Sequence, residues 1–256
     1  MLRALRKAGF RKSNPKHILI VCGDVFDRGP DNVRVYKYLR SIPKYRRILV
    51  RGNHEYLLQH AIRRGYFKDY DLYNGTYFTV QEFLNYYYPG ADGGSKAPSY
   101  SIDWFRNIGV LRWIFGPEWV HYYELDEYVF VHSWVPLQNP TRLSIGGLSP
   151  DLDYPSLMKD PDWRQASDEE WEDATWGCPW ALYLNGLAPD NKTLVCGHWS
   201  TRDFRVHIDH TPKADSSFDL YTNRGLVALD ACTARTGFCN VFVFEKDHGP
   251  EFGLSK

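Results

Sequence analysis

The apolar positions of this chain fall into short continuous runs separated by amphipathic stretches. That is the pattern of strands covered on both faces and joined by helices. Residues 17–22, 47–50 and 193–196 are such runs. Around them the spacing predicts helices. Residues 2–10 place Leu2, Leu5 and Ala8 on one face and break at Asn14-Pro15; Pro30-Asp31-Asn32 opens a second helix, closed by Pro43; residues 54–64 carry a third. Over residues 65–118 the rhythm changes. Tyr, Phe and Trp cluster there with Gly and Pro, and amphipathic helices are predicted at 80–88 and 101–114. This reads as a helical insertion or cap, because strands resume afterwards. Residues 122–124 and 128–131 read as antiparallel strands around Asp126-Glu127. Residues 136–170, rich in Pro, Asp and Ser, read as a surface excursion on a cleft rim. A helix over 171–185 is interrupted at Gly177 and Pro179, and strands 226–230 and 241–244 close the fold as a pair. The expectation is an α/β protein with one domain spanning 1–256.

Composition narrows the function classes. Thirty-one basic residues balance 31 acidic ones, which argues against a nucleic-acid protein working through a general basic field. The 18 Tyr and 9 Trp read as fillers of a core and cap, with an aromatic-lined pocket as the alternative. The five cysteines, Cys22, Cys178, Cys196, Cys232 and Cys239, lack CxxC spacing. Cys232 and Cys239 fall where a hairpin brings them near each other, yet an odd count without a framework points to free thiols in a reducing compartment, the cytoplasm. The basic N-terminal stretch lacks the apolar core of a signal peptide, and no run approaches a membrane span.

The chemistry lies where strands end. Gly23-Asp24-Val25-Phe26-Asp27-Arg28-Gly29 follows the first apolar run, and Arg51-Gly52-Asn53-His54-Glu55 follows the second. His132 and His198 follow two more. Singly, Asp24 reads as a helix cap, Asn53 as a turn residue, and each His as a hydrogen-bonded core residue. Together, Asp24, Asn53, His132 and His198 form a mixed oxygen and nitrogen set suited to Mn, Fe, Zn or Co.

These segments, GDVFDRG, RGNHE, FVHSW and CGHW in that order, resemble the calcineurin-like metallophosphoesterases. The DRG and GNHE forms, with LDAC at 229–232, are similar to the branch of phosphoprotein phosphatases and diadenosine-tetraphosphate hydrolases. The resemblance implies a four-layer α-β-β-α sandwich around a site for two divalent metals, manganese foremost, with Fe, Zn, Co or Ni as others. Carried across, Asp24 bridges the metals, and Asn53, His132 and His198 complete the second metal's shell. A hydroxide held between the metals attacks phosphorus. Arg28, with Asn53, holds phosphate oxygens. His54 is the general acid, oriented by Asp27. The implied substrate is a phosphorylated small molecule, nucleotide or protein, with no specific nucleic acid and no membrane as partner; the Tyr- and Trp-rich cap, with Trp134 two residues after His132, leans towards a small or nucleotide-like substrate.

The family's Asp-x-His for the first metal has no counterpart before Asp24, and Ser200 offers no replacement ligand. The expectation is therefore a fold without its first strand and a cage for one metal. The alternative to an enzyme is a single-metal, phosphate-binding module with little turnover. Glu55 and Arg51 read as an ion pair shaping their loop. Arg142, Arg164, Arg202 and Arg205 are candidates for a second phosphate-binding arginine. His207 and His210 read as surface residues, with a replacement metal site as the alternative, and His60, His121 and His248 as unsupported.

Overall fold

The computed structural model describes residues 1–89, 102–138, 157–189 and 191–245. It opens with helix α1 (Leu2–Lys7), strand β1 (Leu19–Cys22), α2 (Asn32–Arg40), β2 (Arg47–Val50) and α3 (Asn53–Arg64). Next come α4 (Asp69–Asn74), α5 (Thr76–Tyr87), α6 (Ile102–Arg106) and α7 (Val110–Ile114), followed by short strands β3 (Trp119–Val120), β4 (Tyr123–Glu124) and β5 (Tyr128–Phe130). Strands β6 (Leu137–Gln138) and β7 (Met158–Lys159) form a ribbon ahead of α8 (Asp168–Ala174), α9 (Pro179–Leu184) and β8 (Thr193–Cys196). The described chain finishes with α10 (Thr201–His207), β9 (Tyr221–Asn223), β10 (Leu226–Ala228) and α11 (Thr233–Thr236).

The strands form two main sheets. In the first, β1, β2 and β3 lie parallel in that order; in the second the order is β4-β5-β8-β10-β9, with β5, β8 and β10 parallel. Successive side chains point to opposite faces, and here the alternation separates three apolar layers. Val129, Val131, Leu194, Cys196, Leu226 and Ala228 face the layer that holds Trp171, Leu182 and Phe204 of α8, α9 and α10. Their neighbours Phe130, Val195 and Val227 turn the other way and meet Val50, Ile20 and Cys22 between the sheets. Leu19 and Leu49 face outward, where α2, α3, α5 and α7 bury Leu39, Leu58, Phe83 and Ile114. The result is the expected α-β-β-α layering. Because each of these strands is covered twice, its sequence reads as a continuous apolar run.

Several expected elements change. The strand expected at 241–244 does not form; β9, which the sequence reading missed, takes the place beside β10. Arg224-Gly225 closes a two-residue hairpin there, with Gly225 at φ +73°, so the local partner wins over the distant one. Phe242 and Phe244 pack instead as aromatic fillers against Tyr128 and Phe130. The helix expected at 101–114 is two helices broken at Asn107–Gly109, and the one expected at 80–88 begins at Thr76, after a further helix, α4. The described part of 136–170 is less superficial than expected, since Leu157 and Trp163 are buried in the core. The region expected as a cap packs as the outer helical layer: α5 lies against α2, α3, α4 and α6. Its aromatics interlock edge to face, Phe26 and Tyr36 against both Phe83 and Trp113.

Arg47 ties this layer to the first sheet. Its buried guanidinium donates to the Leu39 and Ile42 carbonyls, at 2.8 and 2.6 Å, and pairs with Glu118 before β3. Arg47→Leu should lower the unfolding free energy by about 2–4 kcal/mol, because it removes a charged donor from two carbonyls and from the Glu118 carboxylate, which keeps only Trp113 Nε1. Adding Glu118→Leu should recover part of that loss in urea denaturation. A double variant as unstable as the sum of the two single variants would contradict this.

Candidate metal centre

Four strands deliver the expected residues to one place. β1 runs into Gly23 and Asp24, β2 into Gly52 and Asn53, β5 into His132 and β8 into His198. The site therefore spans the carboxyl ends of strands from both sheets. Asp24 (φ +50°) and His198 (φ +64°) take the left-handed conformation, turning each side chain back across its strand end. The loops also approach closely. A Cβ on Gly52 would overlap Asp24 and lie 2.9 Å from His132 Nδ1, so a side chain there would displace two site residues.

One ligand atom each from Asp24, His132 and His198 lies within 4.8 Å of the others. His132 Nδ1 donates to the Cys22 carbonyl, at 2.8 Å. This fixes the ring's tautomer and turns the lone pair of Nε2 into the site. Nε2 stands 2.9 Å from Asn53 Oδ1, 3.2 Å from His198 Nδ1 and 3.4 Å from Asp24 Oδ1. Burial, aided by the neighbouring His132, pushes the His198 pKa down to about 3, so this ring is neutral near pH 7. Burial opposes the charge of Asp24, but the His132, His54 and His198 imidazoles outweigh it and hold its pKa below the usual value. Asn53 Oδ1 thus faces acceptors. Without a cation the amide would do better turned round, its nitrogen donating to Asp24, His132 and His198. With a cation at the centre, the orientation is favourable as it stands. The residues fit a divalent transition metal.

His54 sits beside this nest at the start of α3. Its Nδ1 donates to Asp27 Oδ2 at 2.7 Å, and its Nε2 stands 3.8 Å from Asp24 Oδ2. Burial works to lower its pKa, but Asp24 and the hydrogen-bonded Asp27 prevail and raise it to about 9. The buried ring therefore keeps a proton near neutral pH. Asp27 is itself held by Thr76 Oγ1 at 2.7 Å and Thr79 Oγ1 at 2.5 Å. Arg28 is exposed and donates to Asn74 Oδ1 at 2.7 Å.

Glu55 corrects an expectation. It does not pair with Arg51, whose guanidinium lies instead near the Tyr56 ring. Its buried carboxylate accepts the backbone N–H groups of Asp24 and Val25, both at 3.0 Å, and of Gly52 at 2.8 Å. The reason is position: at the third residue of α3 it caps the helix start, where free N–H groups converge. Burial and the charge of Asp24 push its pKa up to about 8.

Other expectations shift as well. Trp134 is buried in the core, donating Nε1 to the Leu187 carbonyl, so it gives no stacking surface. Trp176 and Trp199, edge-on to His198 at 6.2 and 6.3 Å, bring aromatic surface to the site. Arg164 is committed to Glu124, and Arg202 and Arg205 to the carbonyls of Lys213 and of Asp219 and Leu220; Arg142 lies outside the described residues. His60 has a partner in Glu172, and His121 bonds to Tyr56 and Asp168, whereas His248 is outside the described residues. His207 and His210 are exposed, and none of the five cysteines is in a disulfide. Sequence reasoning missed Asn74, Thr76 and Thr79. The available signal was Gly75 between two helical stretches, followed by threonines three residues apart.

A cavity of about 2190 Å³ opens from Asp24, His198 and Arg28 and continues along β1, an edge strand among the described residues, to Phe244. Among the described residues no helix is long and apolar enough to cross a membrane.

A two-sheet α/β sandwich whose strand ends gather imidazoles, a carboxylate and an amide around one centre is the architecture of a metal-dependent hydrolase. The family model for calcineurin-like phosphoesterases matches residues 1–201, and the chain belongs to that family. It is accordingly a phosphoric ester hydrolase of a family that depends on divalent metals. No curated protein and no solved structure matches the chain significantly.

Glu55→Gln tests the clamp. It keeps the side chain's length but turns an amide nitrogen towards at least one backbone N–H. Stability should fall by about 2 kcal/mol, and Mn²⁺ affinity by calorimetry about tenfold. Unchanged affinity would show that the loops hold their places without Glu55.

Proposed function

We infer that the chain hydrolyses phosphate esters at this centre, with Asp24, Asn53, His132 and His198 holding the cation. A divalent ion there supplies Lewis acidity towards a phosphoryl oxygen and lowers the pKa of water. The remaining work falls to side chains. Arg28 stands at the cavity mouth, where its planar fork suits the phosphate oxygens. Asn53 contributes beside it. His54 donates a proton to the leaving oxygen, and Asp27 fixes its tautomer so that Nε2 faces the nest. The observation that carries the reading is the buried Asp27–His54 pair beside a cluster made only of acceptors. A metal nest alone has no use for a proton donor.

The cavity exceeds the ~300–1,000 Å³ usual for small ligands, so its volume does not separate the two substrate classes raised by the sequence. The burial of Trp134 removes the ground for favouring nucleotides. A second reading rests on the single group of metal-ligating side chains found among the described residues: one cation and phosphate binding, with little turnover.

With p-nitrophenyl phosphate and Mn²⁺, the chain should turn over. His54→Asn should lower kcat about 10²–10⁴-fold, and Asp24→Asn or a chelator should abolish activity. Metal analysis separates the two readings, since one ion per chain without turnover supports the binding module. Full activity in Asp24→Asn and His54→Asn would sink the enzyme reading.

A further inference from the structure

We propose that residues 74–79, the joint between α4 and α5, position the phosphoester site from outside it: Asn74 sets the guanidinium of Arg28, and Thr76 and Thr79 set the carboxylate of Asp27, and through it His54. The proposal rests on the roles given above to Arg28 and His54.

Asp27 and Arg28 are consecutive left-handed residues, at φ +73° and +58°. Two such residues in a row carry backbone strain and persist only where the surroundings fix them. The joint does this in three ways. Gly75, at φ +94°, lets the backbones meet: a Cβ there would overlap the Arg28 amide and lie 3.3 Å from the Asp27 carbonyl carbon. Thr79 then bonds Asp27 twice. It accepts from the Asp27 N–H at 3.1 Å and donates to Oδ1 at 2.5 Å. Thr76 donates to Oδ2, the same oxygen that accepts from His54. Both threonines are fully buried, where an unmatched hydroxyl is costly, so their partners are specific.

The pattern extends one step along the same face of α5. Glu82, three residues beyond Thr79, accepts from the Asn32 and Val33 N–H groups at 2.9 Å each and from Asn32 Nδ2 at 2.8 Å. Asn32 Oδ1 in turn accepts from the Asp27 N–H at 3.1 Å. Three side chains at a spacing of three thus line up on the loop that carries Asp27 and Arg28. Asn74 is the exception. It reaches the exposed Arg28 and lines the cavity beside it. The joint therefore addresses two functions separately: phosphate capture through Arg28 and proton donation through Asp27.

That separation gives the test. With p-nitrophenyl phosphate and Mn²⁺, Asn74→Ala should raise KM about five- to tenfold with kcat nearly kept. Thr79→Val and Thr76→Val should instead lower kcat roughly tenfold or more with KM nearly kept, and Thr79→Ser should restore most of the loss. A uniform loss at all positions, or Thr79→Ser no better than Thr79→Val, would overturn the proposal. A readout free of turnover is the downfield imidazole proton of His54 by NMR on the metal-free protein. It should shift or broaden in Thr79→Val and return in Thr79→Ser; no change in Thr79→Val would also overturn the proposal. If Thr79→Val fails to fold, Asn74→Ala and Thr79→Ser still decide the matter, since one is only half-buried and the other keeps the hydroxyl. Absence of turnover in the unaltered chain would defeat the phosphoesterase reading, and the NMR arm would still judge the joint.

Discussion

The carboxylate of Glu55 accepts three backbone N–H groups from two loops, and the site depends on that convergence. The loops leave β1 and β2, whose parallel pairing fixes where the strands end but not where the chain goes next. Glu55 removes that freedom. It gathers the amides of Asp24, Val25 and Gly52 at the first turn of α3, where the helix already presents unpaired donors and favours negative charge. The same turn directs the His54 N–H to Asp24 Oδ1, at 3.1 Å. One buried acid thus holds the backbone of Asp24, the glycine before Asn53, and the first turn of the helix that carries His54.

The second sheet is tied on through the backbone as well. His132 Nδ1 donates to the Cys22 carbonyl at the end of β1, and the Gly197 N–H donates to the His132 carbonyl at 2.7 Å. A side chain from β5 therefore reads the end of β1, and β8 reads β5. This chain of bonds brings ligands from two separate sheets into one nest.

The sequence made the continuous apolar runs and the polar residues at their ends legible, because both follow from covering a strand on two faces and stopping it at a site. The roles of individual side chains were less legible where a backbone group was the partner. Glu55 beside Arg51 reads as an ion pair, since opposite charges are visible in a sequence and converging amides are not. Trp134 reads as a pocket wall because it lies two residues from His132, the spacing that shares a face in a strand, but β5 ends at Phe130 and Trp134 turns into the core. The run at 241–244 has the composition of a strand, but β9 reaches the edge of β10 through a two-residue turn. The helices at 69–87 read as a cap because nothing in their composition reveals that Thr76, Thr79 and Glu82 share a partner loop.

Charge gives the last step. Around the nest lie the carboxylates of Asp24, Asp27 and Glu55, while His132 and His198 contribute lone pairs. Burial and the charge of Asp24 push the Glu55 pKa to about 8, although backbone donors favour its ionised form. Asp230, on the cavity wall, is also raised by burial, with Asp24 adding to the effect. The His54 pKa is raised too, to about 9, because Asp24 and the hydrogen-bonded Asp27 outweigh burial, whereas burial pushes His198 in the same nest down to about 3. In the proposed function a divalent cation would be held by Asp24, Asn53, His132 and His198, and its charge would favour the ionised form of Glu55 against its three amides. Under that reading, the charges that would hold the cation and those that raise the His54 pKa form one arrangement, with Asp24 common to both.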